Sequence, residues 1–103
     1  MIAVLNDTNK FINYLATKYN IRMFENTLNR NEISYIGEVF SYRGRRFIIH
    51  LVVRQGKTGI QVYEIAGNRK SCVFQKGYST VNDKNSLSKS TSLFNFLDKN
   101  LFS

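Results

Sequence analysis

From Ile33 onward the apolar residues of this chain recur at every second position, whereas those before it recur every three to four, so a helix should hand over to a sheet. The segments ISYIGEVFSY (33–42), RRFIIHLVVR (45–54) and GIQVYEIA (59–66) alternate in this way and are rich in β-branched and aromatic residues. Turn chemistry at Arg43-Gly44 and Gly56-Lys57 separates them, which predicts three antiparallel strands. Gly67-Asn68 allows one more hairpin, with Ser71 to Tyr78 as a fourth strand.

Before the sheet, Phe11, Leu15, Tyr19 and Met23 recur at i, i+4 with Ile12 and Ala16 beside them. That stripe predicts a helix over about 8–26, capped by Asp7 or Thr8 and disturbed near Asn20. Met1 to Leu5 reads as either a short edge strand or a helical extension. After the sheet, Tyr78 to Thr91 is polar enough for a long loop. Leu93, Phe94, Leu97 and Leu101 then form a stripe that predicts a second helix over 91–101, capped by Ser90 or Thr91. The expected fold is α+β: an N-terminal helix, an antiparallel β-meander of three to four strands, and a C-terminal helix packed on one face. Its 103 residues suit a single compact domain, 1–103.

Two-residue turns would set residue 40 opposite 47, 38 opposite 49 and 51 opposite 62. One face of the sheet then carries Ile36, Phe40, Phe47, Ile49, Leu51, Val53, Ile60 and Val62, a surface fit to receive the helices. The other mixes Tyr35, Arg46, His50, Arg54, Gln61 and Tyr63 with Val39, Ile48, Val52 and Ile65. Open to solvent, it would offer aromatic and basic groups of the kind that stack on single-stranded nucleic acid. Packed against a helix or a second subunit, it would offer none.

Charge is concentrated in the same stretch. Residues 39–82 hold Arg43, Arg45, Arg46, Arg54, Lys57, Arg69, Lys70 and Lys76 against Glu64, within a chain of net charge +8. In a meander the first and third turns lie at one end of the sheet, so Arg43, Arg45, Arg46, Arg69 and Lys70 should meet there. Like charges fixed at short range repel, and an anion relieves them; Arg in addition matches phosphate oxygens with a forked pair of donors. Hairpin tips also carry charge merely to keep sheet edges apart. The functional reading makes these five a phosphate-binding patch, with Arg54, Lys57 and Lys76 as secondary contacts and Tyr35, Tyr63 and Tyr78 as stacking groups where their face is open.

Reactive chemistry finds little to work with. His50 sits mid-strand beside Tyr63, Cys72 follows a lysine, and one His with one Cys cannot supply an ordinary zinc ligand set. Glu38 and Glu64 flank Ile49 in the expected register, but a third acid is missing for a magnesium site. The glycines fit neither standard phosphate-loop spacing. No catalytic residue, metal or cofactor is therefore assigned. The longest apolar runs are far short of the roughly 20 residues that cross a bilayer. With one cysteine and an N-terminal Met-Ile-Ala-Val-Leu too short for a signal core, the expected location is the cytoplasm, or the nucleus of a eukaryote.

The order of helix, three strands and helix is similar to that of double-stranded RNA-binding domains. Lys84 and Lys89 lie roughly where those domains place basic residues, without their dense Lys and Ala pattern. The segment YRGRRFIIHLVVRQGKTGIQVYEIAGNRK resembles the meander of RelE/ParE-type toxins, which cleave RNA without metal. That resemblance implies Arg45, Arg46, Arg69, Lys70 and Tyr78 as phosphate-binding and cleaving groups. Three functions stay open on the sequence: nucleic-acid binding, inhibition of a host protein or nucleoprotein complex by a phage- or plasmid-type protein with an acidic partner, and metal-independent RNA cleavage. A homodimer through an edge strand or the mixed face is compatible with each.

Overall fold

The computed structural model describes residues 2–27, 31–42, 44–54 and 56–79. Helix α1 spans Ile2–Lys18 and is followed by six strands: β1 Met23–Glu25, β2 Glu32–Gly37, β3 Phe40–Tyr42, β4 Arg45–Arg54, β5 Lys57–Ala66 and β6 Arg69–Ser79. They form one antiparallel sheet in the order β1-β2-β4-β5-β6, with β3 also paired to β4. An α+β fold built on a meander is thus observed. The C-terminal helix expected over 91–101 and the loop before it, from residue 80, lie outside the described residues.

The helix begins and ends earlier than its apolar stripe suggested. Thr8 is not a cap but lies in the second turn, fully buried, with its Oγ1 3.0 Å from Thr58 Oγ1 on β5. Residues 2–5, left open between strand and helix, are helical. The helix stops because Asn20 takes a left-handed backbone, φ 56°, which Asn tolerates better than other side-chain-bearing residues. Tyr19 and Ile21 both donate their N–H to the Leu15 carbonyl at 3.1 Å. The chain then reverses, and Met23, expected on the helical stripe, belongs to β1.

Phe11 and Leu15 of α1 are fully buried against Phe47, Ile49, Leu51, Ile60, Val62 and Tyr78. Each such side chain contributes about 1.5–3 kcal/mol of transfer free energy. The expected pairing of Phe40 with Phe47 is observed, and the two rings stack at 5.7 Å. The β4–β5 register differs from expectation by two residues: Arg54 faces Lys57 and Ile49 faces Val62, because Lys57 belongs to β5 rather than to the turn. Gly56 supplies the positive φ there, 76°. A two-residue shift preserves which face each side chain takes, so the expected core of β4 and β5 is retained.

The first expected strand is where a face was misassigned. Phe40 pairs with Phe47, but Ile36 pairs with His50, one residue out of step, so β2 and β3 are separated by a one-residue offset at Glu38-Val39. Every side chain of β2 is thereby turned to the opposite face. Tyr35 faces α1 and packs on the core, while Ile36 joins His50 on the other side. The offset is held by Arg22, whose carbonyl accepts the Glu38 N–H at 2.9 Å and whose own N–H donates to Glu38 Oε1 at 3.1 Å. It also needs Gly37: a Cβ there would stand 2.8 Å from Met23 Sδ and 3.3 Å from the Ile49 carbonyl oxygen. Met23 can swing away, whereas the paired carbonyl cannot. Gly37→Ala is expected to lower unfolding free energy by about 1–3 kcal/mol in urea titrations; an unchanged midpoint would contradict the close approach.

Candidate nucleic-acid interface

The sheet has two ends and two faces, and the basic residues divide among them according to the pleat. Arg46 pairs with Ile65, and Ile65 with Lys70, so Arg46 and Lys70 flank Ile65 on the face opposite α1. Two strand spacings put their backbones about 10 Å apart. Arg69 sits beside the Gly67-Asn68 turn, whose Gly67 has φ 60°. A glycine of positive φ at the first turn position suits the tight hairpins that keep strand ends rigid. Arg46, Arg69 and Lys70 are exposed, and among the described residues none of them has an acidic partner. The turn ends therefore converge as the sequence indicated; Arg43 lies outside the described residues.

Arg45 behaves differently, because it projects on the α1 side. Its Nε donates to Glu64 Oε2 at 2.9 Å and its Nη2 to Glu64 Oε1 at 2.7 Å, a bidentate pair. The guanidinium carbon also lies 5.2 Å from the Phe47 ring centroid. Hydrogen bonds from Arg45, and secondarily its charge, hold the Glu64 carboxyl below its ordinary value, and the same pair raises Arg45. Arg45, one cation of the expected patch, is thus already occupied by an anion of the chain.

Arg54 and Lys57 oppose one another at the far end of the sheet, exposed, on the same face as Arg46 and Lys70. Eight residues of β4 separate the two ends, about 27 Å at strand rise. Lys76 belongs to neither pair: it lies mid-strand opposite Ile60, its Nζ 5.3 Å from the Tyr78 ring. Tyr78 is buried in the core under α1 and so has no ring face open for stacking. Tyr35 is half-buried against the same core. Of the three tyrosines, Tyr63 alone is on the face away from α1, half-buried, with its hydroxyl donating to Gln61 Oε1 at 2.7 Å.

His50 meets Tyr63 edge to face, ring centroids 6.0 Å apart. Burial, and secondarily the charge of Lys70, pushes its pKa below the ordinary 6.5, which leaves the imidazole neutral at pH 7. The Tyr63 hydroxyl is engaged by Gln61 rather than by this ring. Glu38 and Glu64, which the expected register set around Ile49, each take a separate partner, Arg22 at 3.3 Å and Arg45. Among the described residues no group of three metal-ligating side chains comes together, and no helix is long and apolar enough to cross a membrane. Cys72 is exposed, its Sγ donating to the Phe74 carbonyl at 3.4 Å.

Sequence spacing alone does not single out the Arg45–Glu64 pair; the β4–β5 pairing of Phe47 with Glu64 is what sets Glu64 beside Arg45. Compared with protein-family models, curated proteins and solved structures, the chain matches no family model, no curated protein and no solved structure.

The pair makes a prediction about acid. A carboxyl held below its ordinary 4.5 in the folded state adds stability that is fully present above 4.5 and is lost as pH falls through the lowered value. Both partners are solvent-exposed, so the contribution is small. Glu64→Gln is expected to abolish that part of the acid limb in thermal melts run from neutral pH downwards; an identical limb in the variant would show that the pair adds nothing.

Proposed function

We propose that the protein binds the phosphate backbone of a nucleic acid with the end of the sheet formed by Arg46, Arg69 and Lys70. The observation that carries this reading is that these three cations are exposed, lack acidic partners among the described residues, and stand on paired strands rather than a tail. A rigid cluster of that kind is relieved by a polyanion, and it binds without first ordering a flexible chain. Arg45 contributes only when phosphate competes with Glu64. Arg54 and Lys57 form a second, weaker contact about 27 Å away.

Contacts of this kind position a protein and carry no sequence information, so affinity should depend steeply on salt and weakly on base sequence. Fluorescence anisotropy with labelled duplex and single-stranded oligonucleotides tests this. On duplex DNA, log affinity should fall against log salt with a slope of about 0.9 per phosphate contact. Arg46→Ala and Lys70→Ala together should reduce that slope by about 2, and Arg54→Ala with Lys57→Ala by less. Unchanged affinity in a folded Arg46, Arg69 and Lys70 triple alanine variant would remove the site. Absence of binding at low salt would instead assign the basic end to an acidic protein surface.

A further inference from the structure

Gly59 and Gly77 face one another across β5 and β6, in the interior of two long strands. Glycine weakens a strand, and inside one it often marks a place where a ligand or another backbone comes close. The backbone does not require this pair, since neither has a positive φ. Packing does not require it either. Among the described residues a Cβ at Gly77 would meet no atom within 4 Å, and one at Gly59 only the Val52 carbonyl oxygen at 4.0 Å, an ordinary contact. What the missing side chains leave is an open hollow of about 550 Å³ on the face opposite α1, bounded by Val52, Gln61 and Gln75. Its volume is that of a small-molecule site.

The hollow has amides at one end and cations at the other. Gln61 and Gln75 are directly paired, two residues from the glycines along each strand. The Gln61 Oε1 accepts from the Tyr63 hydroxyl at 2.7 Å, which fixes that amide and leaves its N–H donors for another group. In the other direction the surface runs on past Val52 and Gly59 to Arg54 and Lys57. Glu32 stands opposite Arg54 on β2, so Lys57, on the same strand as Gly59, is the less opposed of the two cations. Lys57, Gly59 and Gln61 thus follow in line, about 13 Å from first to last at strand rise.

We infer that this hollow holds one nucleotide of a single-stranded nucleic acid. The base lies flat on the Gly59 and Gly77 backbone, the Gln61 and Gln75 amides meet its edge, and Lys57 with Arg54 takes its phosphate. The inference rests on the phosphate-binding reading and adds strandedness to it. A floor without side chains lets a planar ring approach closely, and amides both donate and accept, as base edges do. In a duplex the base faces are stacked and their pairing edges occupied, so a duplex reaches the basic residues and not the hollow.

Fluorescence anisotropy at low salt tests the inference with two labelled probes of equal length and charge, a single strand and the same strand built from abasic sites. The intact strand should bind about tenfold more tightly, the order of one stacked base. Gly77→Val, whose side chain projects into the hollow, should bring the intact strand down to the affinity of the abasic one. Gln75→Leu, at an exposed position, should do so in part, and it serves if the first variant does not fold. Equal affinity for the two probes, or a preference that survives in the folded variants, would overturn the inference and leave the phosphate contacts standing. Failure of both probes and of duplex to bind would overturn that reading and the inference with it.

Discussion

Burial of Phe47, Ile49, Leu51, Val53, Ile60 and Val62 fixes the parity of β4 and β5, and most other features of the molecule depend on it. Because successive side chains of a strand take opposite faces, committing the odd positions of β4 to the core commits Arg46, Ile48, His50, Val52 and Arg54 to the other side. The same pairing turns Lys57, Gln61, Tyr63 and Ile65 with them, and Lys70 follows through Ile65. The placement of charge is thus a consequence of packing. Moving Arg46 to the α1 side would require extracting the whole core set, at several times the free energy that any surface ion pair returns.

That parity divides the basic end into two kinds of cation. Arg45, on the α1 side, finds Glu64 directly beside its neighbour Phe47 and is held by two hydrogen bonds and an aromatic ring. Arg46, Arg69 and Lys70 are exposed and meet no acid among the described residues. A chain with few acids in residues 39–82 has therefore neutralised one cation and left a small group standing on rigid backbone. In the proposed function this remainder supplies the affinity, and Arg45 is available only to an anion that outcompetes a bidentate carboxylate.

Much of the fold could be read from period and turn chemistry. The change from helical to alternating apolar spacing, Gly44 and Gly67 at their turns, and the core faces of β4 and β5 all came from local pattern. What escaped depended on contacts remote in sequence. Met23 continues the helical stripe of Phe11, Leu15 and Tyr19, and only the left-handed Asn20 and the pairing of β1 with β2 withdraw it. The offset at Glu38-Val39 is invisible in ISYIGEVFSY, because alternation runs on through it; Arg22, sixteen residues earlier, holds it in place. That single offset exchanged Tyr35 and Ile36 between faces. At the site, the convergence of the turn ends was legible from topology, whereas the capture of Arg45 by Glu64 and the burial of Tyr78 required the register.

The central claim is that packing leaves one end of the sheet as an anion-binding edge. Backbone amide shift mapping during titration with a short oligonucleotide examines it residue by residue. The account predicts that the largest changes fall at Arg45 to Phe47 and at Ala66 to Lys70, with little movement in α1 or β1. Changes centred on β1, or spread evenly over the sheet without saturation, would contradict it.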